Sequence, residues 1–372
     1  MTPPSRSRDE SRAPWRLAFA QLGIGLAVTA CYDAPGPPGG DGSASTGTAS
    51  ADDTTGDASG GTTGDTTTTG DDETTTDPTQ PSSDGSTTGV PDTDPSADDS
   101  STGEPQTCLD SEAPFGPPTP LVSLNSRDHD EGAWVSFDEL TLYFSSSRPG
   151  GVGGFDLYVS TRDGRFDEFG DPASVSDVNT PGAERRPSVT TDGLTLFAES
   201  ISQSGDYDIL VSTRPNTVAA FGPLLGVAGI NTPSHEAGVR TNADGTMLYF
   251  DSDSTGDADL YRAARQPDGS FGDVVPIGEL NVPGAGDSNA TPTSDGLTIY
   301  FSSTRDGGSG SYDIYAARRS TIDDGFGQPV ALVELNTTSI DVPSAVSEDG
   351  CRLYYFNSAA SGYDMFVAER SP

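Results

Sequence analysis

The chain has 372 residues and a formal net charge of −38, and all 19 of its basic residues are arginine. A chain this acidic repels the phosphates of nucleic acids and anionic lipid headgroups, which argues against DNA, RNA or peripheral membrane binding. The excess of acidic residues is typical of a highly soluble protein.

An export signal is predicted at the amino terminus. Four arginines, at positions 6, 8, 12 and 16, precede an apolar stretch from Leu17 to Val28. About 12 residues are too few for a lasting transmembrane helix, but they match the short apolar core of a secretory signal.

The end of this stretch, Leu26-Ala27-Val28-Thr29-Ala30-Cys31, resembles a bacterial lipobox. The resemblance implies that residues 1–30 are a lipoprotein signal peptide, that the Cys31 thiol carries a diacylglycerol, and that the new amino group is acylated after cleavage. Several acyl chains anchor a protein stably. Because Tyr32 is not the Asp that favours inner-membrane retention, we expect an outer-membrane lipoprotein whose folded part lies in the periplasm or at the cell surface. The alternative is an ordinary signal peptide followed by a chance cysteine.

Residues 31–107 are predicted to comprise the lipidated cysteine and a disordered tether. The segment after Cys31 is mainly Thr, Ser, Gly, Asp and Pro, with 16 acidic residues and no basic ones. Such a composition buries too little apolar surface to offset the entropy of ordering. A flexible coil of this length reaches roughly 50 Å, so it would hold a folded domain clear of the membrane.

Residues 108–372 contain five copies of one unit. Each copy has an Asp turn followed by an alternating apolar strand, and the turn aspartates are spaced by 54, 52, 51 and 54 residues. We expect such a strand to bury one face. The turn aspartates are Asp138, Asp192, Asp244, Asp295 and Asp349.

Two further elements recur in every unit. One is a second strand with Asp after its first residue, as in Tyr312-Asp313-Ile314-Tyr315, and the other is Phe-Gly followed by an apolar stretch and Asn, as in Phe169 to Asn179. With the strand before each turn, every unit holds four strands, and four strands in about 50 residues form a propeller blade. The sequence therefore predicts an all-β, five-bladed β-propeller of four-stranded blades.

These motifs resemble the WD40-like repeat called PD40, which is found in TolB-type propellers and in many bacterial envelope proteins. The matching residues are the Asp-Gly turn, the Leu-Tyr-Phe strand and the Tyr-Asp-Ile-Tyr strand. TolB-type propellers usually have six blades and this chain has five, so the resemblance does not carry over a particular partner.

The order of the elements predicts how the ring closes. The chain ends soon after Phe366, so the last unit lacks its outer strand, while the first Phe-Gly element, Phe115 to Leu124, precedes every other strand. We expect this element to complete the last blade and remove the exposed sheet edges. That closure brings Cys108 and Cys351 to the same end of the same blade, and an exported domain with two such cysteines is expected to form a disulfide. Two free thiols, or bonds to another molecule, are the alternatives.

An acidic residue stands eight positions before each turn aspartate. At the start of five innermost strands these residues form a possible carboxylate ring at one channel mouth, suited to a cation or a basic ligand. The alternative is that each carboxylate accepts hydrogen bonds from backbone N–H groups of its own blade. The five residues are Asp130, Glu184, Glu236, Asp287 and Asp341.

A dense acidic loop, with Asp251, Asp253 and Asp257, half resembles a calcium loop. The Glu expected at its twelfth position is replaced by Arg262. It is a weak calcium candidate, and a solvated hairpin loop is the alternative; we expect no other cofactor.

No constellation of catalytic residues stands out, so the sequence favours a non-catalytic, monomeric interaction module for an envelope protein or peptide. Contact with the membrane is expected only through the lipid anchor. The alternative is a propeller that binds or cleaves polysaccharide, because five-bladed glycosidases place two carboxylates across the scissile bond.

Overall fold

The computed structural model describes residues 107–201, 205–359 and 362–372. The signal peptide predicted at 1–30, the anchor Cys31 and the tether up to residue 106 lie outside the described residues. Within the described ranges the secondary structure is entirely β, with 20 strands. That part of the chain therefore has no helix long and apolar enough to cross a membrane.

The strands form five sheets of four antiparallel strands each. Blade 1 contains β2 (Asp130–Val135), β3 (Thr141–Ser146), β4 (Asp156–Thr161) and β5 (Ala173–Ser174). Blade 2 contains β6 (Glu184–Val189), β7 (Thr195–Ile201), β8 (Tyr207–Thr213) and β9 (Leu225–Gly226). Blade 3 contains β10 (Glu236–Thr241), β11 (Met247–Ser252), β12 (Asp259–Arg265) and β13 (Phe271–Pro276). Blade 4 contains β14 (Asp287–Pro292), β15 (Thr298–Ser303), β16 (Asp313–Arg318) and β17 (Val330–Ala331). Blade 5 contains β18 (Asp341–Val346), β19 (Arg352–Ala359), β20 (Gly362–Glu369) and the amino-terminal β1 (Thr119–Pro120).

The first strand of each blade is the innermost, and it contacts the first strands of both neighbouring blades around a central axis. The prediction of a five-bladed propeller is therefore confirmed. The end of the axis where the innermost strands begin is called the upper mouth below, and the end where they finish, beside the Asp turns, is called the lower mouth.

The amino-terminal strand closes the ring as expected. Thr119 and Pro120 of β1 pair with Val367 and Phe366 of β20. Asn125, just after β1, bonds both backbone groups of Met365: its Oδ1 accepts from the N–H and its Nδ2 donates to the C=O, each over 2.9 Å.

The recurring Asn makes this backbone clamp in the other blades too. Asn179 binds both backbone groups of Leu157 at 2.8 and 3.0 Å, and Asn231 does the same to Ile209 at 2.9 Å for each bond. In four of the five blades the repeated Phe of the Phe-Gly element lies beneath an arginine at the end of the third strand, as Phe169 does beneath Arg162. In blade 3 a glutamine takes the place of the arginine, and Phe271 packs against Phe197. The clamp explains why the Asn recurs in every unit, and the arginine contact explains the Phe in four of them.

Apolar side chains pack in five clusters, each shared between adjacent blades. The expectation that the strand after each turn buries one face was wrong. Leu142, Tyr143 and Phe144 of β3 are all buried. Each blade is sandwiched between two others, so its second strand is covered on both faces.

A disulfide joins Cys108 to Cys351, across a sequence separation of 243 residues. The Cys108 N–H also donates to the Asp349 carbonyl over 2.6 Å, so the chain preceding β1 is held against the first turn of blade 5. The bond therefore links the beginning of the folded region to its last blade.

Candidate functional site

The five repeated acidic residues start the innermost strands at the upper mouth, but they do not form an open ring. All five are at most 1% exposed. Glu184 accepts hydrogen bonds from the N–H and hydroxyl of Thr180 in the loop just before it, and Asp341 accepts the same pair from Thr337. Burial raises the pKa of Glu184, Asp287 and Asp341. The hydrogen bonds that each of these carboxylates accepts partly offset that rise.

The other members of the set make the same kind of contact. Glu236 binds the N–H of Thr232 at 2.7 Å, while Asp130 and Asp287 bind backbone N–H groups and also Arg148 and Arg305, each at 2.7 Å. The predicted ring at the channel mouth is therefore corrected, because each carboxylate is turned into the loop of its own blade.

The calcium candidate is corrected as well. Asp251 Oδ1 accepts from the N–H of Asn289, Asp253 Oδ1 from that of His235, and Asp257 Oδ2 from that of Gly284. The three carboxylates thus serve three separate backbone donors. Across the described ranges, no three His, Cys, Asp or Glu side chains are grouped to hold a metal ion.

Every innermost strand has a bulge at its centre. The bulge lets the chain turn one backbone N–H toward the neighbouring blade. In four blades a residue of the bulge has positive φ, whereas in blade 5 the equivalent position is a proline that pairs with Tyr355 and the bulge follows it. These residues are Gly132 at 68°, Arg186 at 46°, Gly238 at 62° and Asn289 at 57°, with Pro343 in the fifth blade.

The bulge N–H groups bond to the preceding blade. Arg186 N–H donates to the Ser145 hydroxyl, and Gly238 N–H to the carboxylate of Glu199 at 3.0 Å. Asn289 N–H donates in the same way to Asp251 at 2.9 Å. One position of the second strand therefore supplies an acceptor that joins consecutive blades near the axis.

Around these bulges lies a cluster of buried charges, called the axial cluster below. Arg185 Nε lies 2.5 Å from a carboxylate oxygen of Glu131, and Arg186 Nη1 lies 2.7 Å from Glu199. Arg186 also lies 3.6 Å from Glu131, so one guanidinium links two blades. The cluster comprises Glu131, Arg185, Arg186, Glu199, Arg240 and Asp251.

The carboxylates of the axial cluster differ in protonation. Burial favours the neutral form of Glu131, but the charges of Arg185 and Arg186 outweigh it and lower the pKa of this carboxyl. Burial raises the pKa of Asp251 to about 7, and the charge of Glu199 adds to the rise, although the Asn289 N–H and Arg186 oppose it. The two carboxyls therefore differ: Asp251 keeps its proton to a higher pH than Glu131 does.

Arg240, in β10, is the third arginine of the axial cluster and has a different environment. It is 6% exposed, and its guanidinium donates to backbone carbonyls of blades 2, 3 and 5, including that of Ser344 over 2.7 Å. Burial and the nearby charge of Arg186 lower its pKa to about 10. It therefore still carries its charge at neutral pH.

Half-buried aromatic rings surround Arg185 toward the upper mouth. The Arg185 guanidinium lies 4.4 Å from the centre of the Phe155 ring and donates to the Tyr207 hydroxyl over 2.7 Å. Nearby, the rings of His129 and Tyr363 lie 5.0 Å apart. These half-buried rings thus lie beside a fixed ion pair.

Of the axial cluster, only Asp251 was predicted from the sequence as a site residue, although the aligned repeats also set Glu199 apart. Seven residues after each turn aspartate the chain has Ser, Glu, Asp, Ser and Phe, so two acids interrupt a position that is otherwise Ser or apolar. The residues are Ser145, Glu199, Asp251, Ser302 and Phe356.

No protein-family model matches the chain, and no curated protein matches it. Solved structures with a similar fold include TolB from Acinetobacter baumannii, 18% identical with a TM-score of 0.42, covering 67% of this chain and 56% of that one. The GH62 α-L-arabinofuranosidase catalytic domain of Coprinopsis cinerea is 12% identical with a TM-score of 0.44, covering 70% and 97%. A glycoside hydrolase-like protein from Parabacteroides distasonis ATCC 8503 is 12% identical with a TM-score of 0.45, covering 70% and 93%. The chain thus spans little more than half of the Acinetobacter TolB, and at these values the likeness concerns the propeller shape alone.

Proposed function

We propose that this protein is an outer-membrane lipoprotein, anchored through Cys31, whose propeller acts as a non-catalytic interaction module for a protein or peptide of the cell envelope. The tether holds the propeller clear of the membrane, as a monomer. The PD40 resemblance and the lipobox support the location, and the axial cluster supports the mode of action.

The proposal of a non-catalytic module rests on the contacts that the carboxylates of the axial cluster make. Glu131 and Glu199 are ion-paired with arginines, and Asp251 binds a backbone N–H while only 4% exposed. Glycoside hydrolysis needs a protonated acid and a second carboxylate facing the same substrate bond. Carboxylates with these contacts are suited to joining blades rather than to catalysing hydrolysis.

The anchor is tested by Cys31→Ser in the full-length protein. We expect the wild-type protein to sediment with outer-membrane vesicles and to incorporate labelled fatty acid, and the variant to do neither. Cys108→Ser combined with Cys351→Ser is the control, because it removes the two disulfide-bonded cysteines and leaves the proposed lipobox intact. Equal fatty-acid labelling of wild type and Cys31→Ser would refute the anchor.

The interaction module is tested by in vivo crosslinking of the lipidated protein in its own envelope, followed by identification of the captured species. We expect the same protein to be captured reproducibly. A control preparation carries Gly132→Ala, which is expected to disturb the inner strands and to lose the capture. Absence of a reproducible partner from wild type would contradict this function.

The second candidate is carbohydrate binding, favoured by the half-buried rings of Phe155, Tyr207 and Tyr363 beside Arg185. Flat apolar ring faces with a polar neighbour suit the faces of sugar rings. A glycan array and an assay of sugar release from cell-wall polysaccharide test it. Binding that is lost in Phe155→Ala supports this candidate, and silence in both assays rejects it.

A further inference from the structure

The lower mouth of the channel contains a small pocket whose lining includes Arg240. The pocket has a volume of about 90 Å³ and is lined by hydroxyl-bearing side chains, Trp134, Phe137 and Arg240. It therefore combines a cation, hydroxyl donors and aromatic surface in one cavity on the axis.

The guanidinium of Arg240 does not donate all of its N–H groups to atoms of the described ranges. Its Nε and Nη1 donate to backbone carbonyls, whereas its Nη2 group donates to no atom of the described ranges. In the same part of the chain no carboxylate oxygen lies within 4.0 Å of it. A buried cation without an anion is unfavourable, and its depressed pKa reflects that cost.

A second polar group of the pocket also lacks a partner. Ser188 is 1% exposed, and its hydroxyl has no hydrogen-bond partner within the described ranges. Buried hydroxyls are usually bonded, so this one lacks the acceptor that such a group normally has. Arg240 and Ser188, from adjacent blades 3 and 2, both line this cavity and both have a donor without a partner within the described ranges.

We propose that this axial pocket binds a single carboxylate group. A carboxylate accepts a charge-assisted hydrogen bond from the Nη2 group of a guanidinium and a further bond from a hydroxyl. It would supply the anion that Arg240 lacks and the acceptor that Ser188 lacks.

The charge of the domain favours a carboxylate over a phosphate. Residues 108–372 hold 39 acidic residues and 15 arginines, and Glu348 lies on the rim of the pocket. The repulsion from these charges is greater for a dianion than for a monoanion. A ligand with one negative charge and an adjoining apolar group fits both the acidic surroundings and the 62% exposed ring of Phe137.

The source of the carboxylate rests on the proposed function: for a peptide-binding module it is the carboxyl terminus of the partner, with an apolar last side chain against Phe137. The other source of the same group is a uronic acid of a polysaccharide. The peptide and glucuronate probes described next distinguish these two sources of the carboxylate.

The test uses tryptophan fluorescence. The chain has two tryptophans, Trp15 and Trp134, so the full-length protein carrying Trp15→Phe reports on the pocket alone. It is titrated with an acetylated pentapeptide ending in Phe, as the free acid and as the amide, and with glucuronate and inorganic phosphate. We expect saturable binding of the free acid at least tenfold tighter than that of the amide, and weaker binding of phosphate.

Variants assign the effect to the pocket. Arg240→Gln is expected to abolish the preference for the free acid, and Ser188→Ala to weaken it severalfold. Arg265→Gln, which removes an exposed arginine of the same blade, is the matched control and should leave it unchanged. If Arg240→Gln does not fold, Ser188→Ala and the wild-type comparison of acid with amide still decide the question.

The outcomes separate this site from the proposed function. Equal binding of acid and amide together with no binding of glucuronate, or a preference that survives in Arg240→Gln, overturns the carboxylate site. Binding of glucuronate without the peptide supports the site and counts against the peptide module. Envelope crosslinking that persists in Arg240→Gln while acid and amide bind equally supports the module and overturns the site.

Discussion

At the scale of single residues, the recurring Asn shows how one side chain holds a blade together. The amide of Asn231 binds both the N–H and the C=O of Ile209, which is completely buried. Both backbone groups would otherwise be buried without partners, and such groups cost free energy. This explains why an amide, with one donor and one acceptor, stands at this place in every blade.

Replacing Asn231 with Ala tests this role. We expect the variant to lose about 2 kcal/mol of unfolding free energy, because two buried backbone groups lose their partners. Asn216→Ala is the control, since that exposed side chain bonds only its own turn, and its effect should be below about 0.5 kcal/mol. Urea unfolding measures both, and equal effects would contradict the clamp.

Asp251 shows how one residue can join blades at an energetic cost. It accepts the Asn289 N–H across a blade boundary, yet burial raises the pKa of its carboxyl to about 7. From about pH 4 to 7 the unfolded chain has lost this proton and the folded chain retains it. Because the folded state then binds more protons, this residue makes stability fall as pH rises through that window.

Asp251→Asn keeps the acceptor and removes the titration. We expect the stability of the variant relative to wild type to increase between pH 4 and pH 8, by at most about 4 kcal/mol. Asp273→Asn, at an exposed carboxylate of the same blade, is the control and should give no such increase. Urea unfolding across this pH range is the measurement, and parallel pH profiles for wild type and Asp251→Asn would contradict the assignment.

At the scale of elements, the bulge of the innermost strand is the feature on which the axis depends. It turns a backbone N–H toward the preceding blade and brings adjacent strands very close together. A Cβ at Gly132, which has φ of 68°, would lie 2.7 Å from the Cα of Arg186 in the next blade. Glycine is required there by both the backbone conformation and the lack of space.

Gly132→Ala is therefore expected to destabilise the protein more than Gly245→Ala. The two glycines have nearly the same φ, 68° and 67°, but a Cβ at Gly245 would meet only a methyl group of Thr190 at 3.5 Å. The Gly245 variant should lose about 1–2 kcal/mol from backbone strain, and the Gly132 variant should lose at least about 2 kcal/mol more from overpacking. Denaturant unfolding compares them, and equal losses would show that the blades separate easily.

At the scale of the whole molecule, the ring closes through its two ends. The pairing of β1 with β20, the clamp of Asn125 on Met365 and the Cys108–Cys351 disulfide all join the beginning of the folded region to its last blade. Once closed, the ring leaves the outer strands as sheet edges, and in the described residues four of these five strands are only two residues long.

Cys108→Ser combined with Cys351→Ser measures the covalent part of this closure. We expect a loss of up to about 5 kcal/mol of unfolding free energy, since the bond spans 243 residues and restricts the unfolded chain. Wild type under reducing conditions should lose the same amount. If neither change lowers the denaturation midpoint, the strand pairing alone secures the ring.

The sequence by itself determined the repeat, the blade count and the closing strand, and it favoured a bond between the two cysteines, which the structure contains. Those features follow from local patterns, such as an Asp-Gly turn or an alternating strand, that recur at a fixed spacing and so need no knowledge of distant contacts. The same patterns placed Asp130 and its equivalents at the start of the innermost strands.

Only the tertiary structure decided what those side chains bind. The repeated acids turn into their own loops, while Glu131, Glu199 and Arg186 meet at the axis because five strands, separated by about 50 residues each, converge there. Pairing of buried charges depends on which residue of one blade faces which residue of the next, and a repeat pattern does not carry that information. For the same reason, the repeat pattern did not indicate that Arg240 and Ser188, at the lower mouth, have donors without partners within the described ranges.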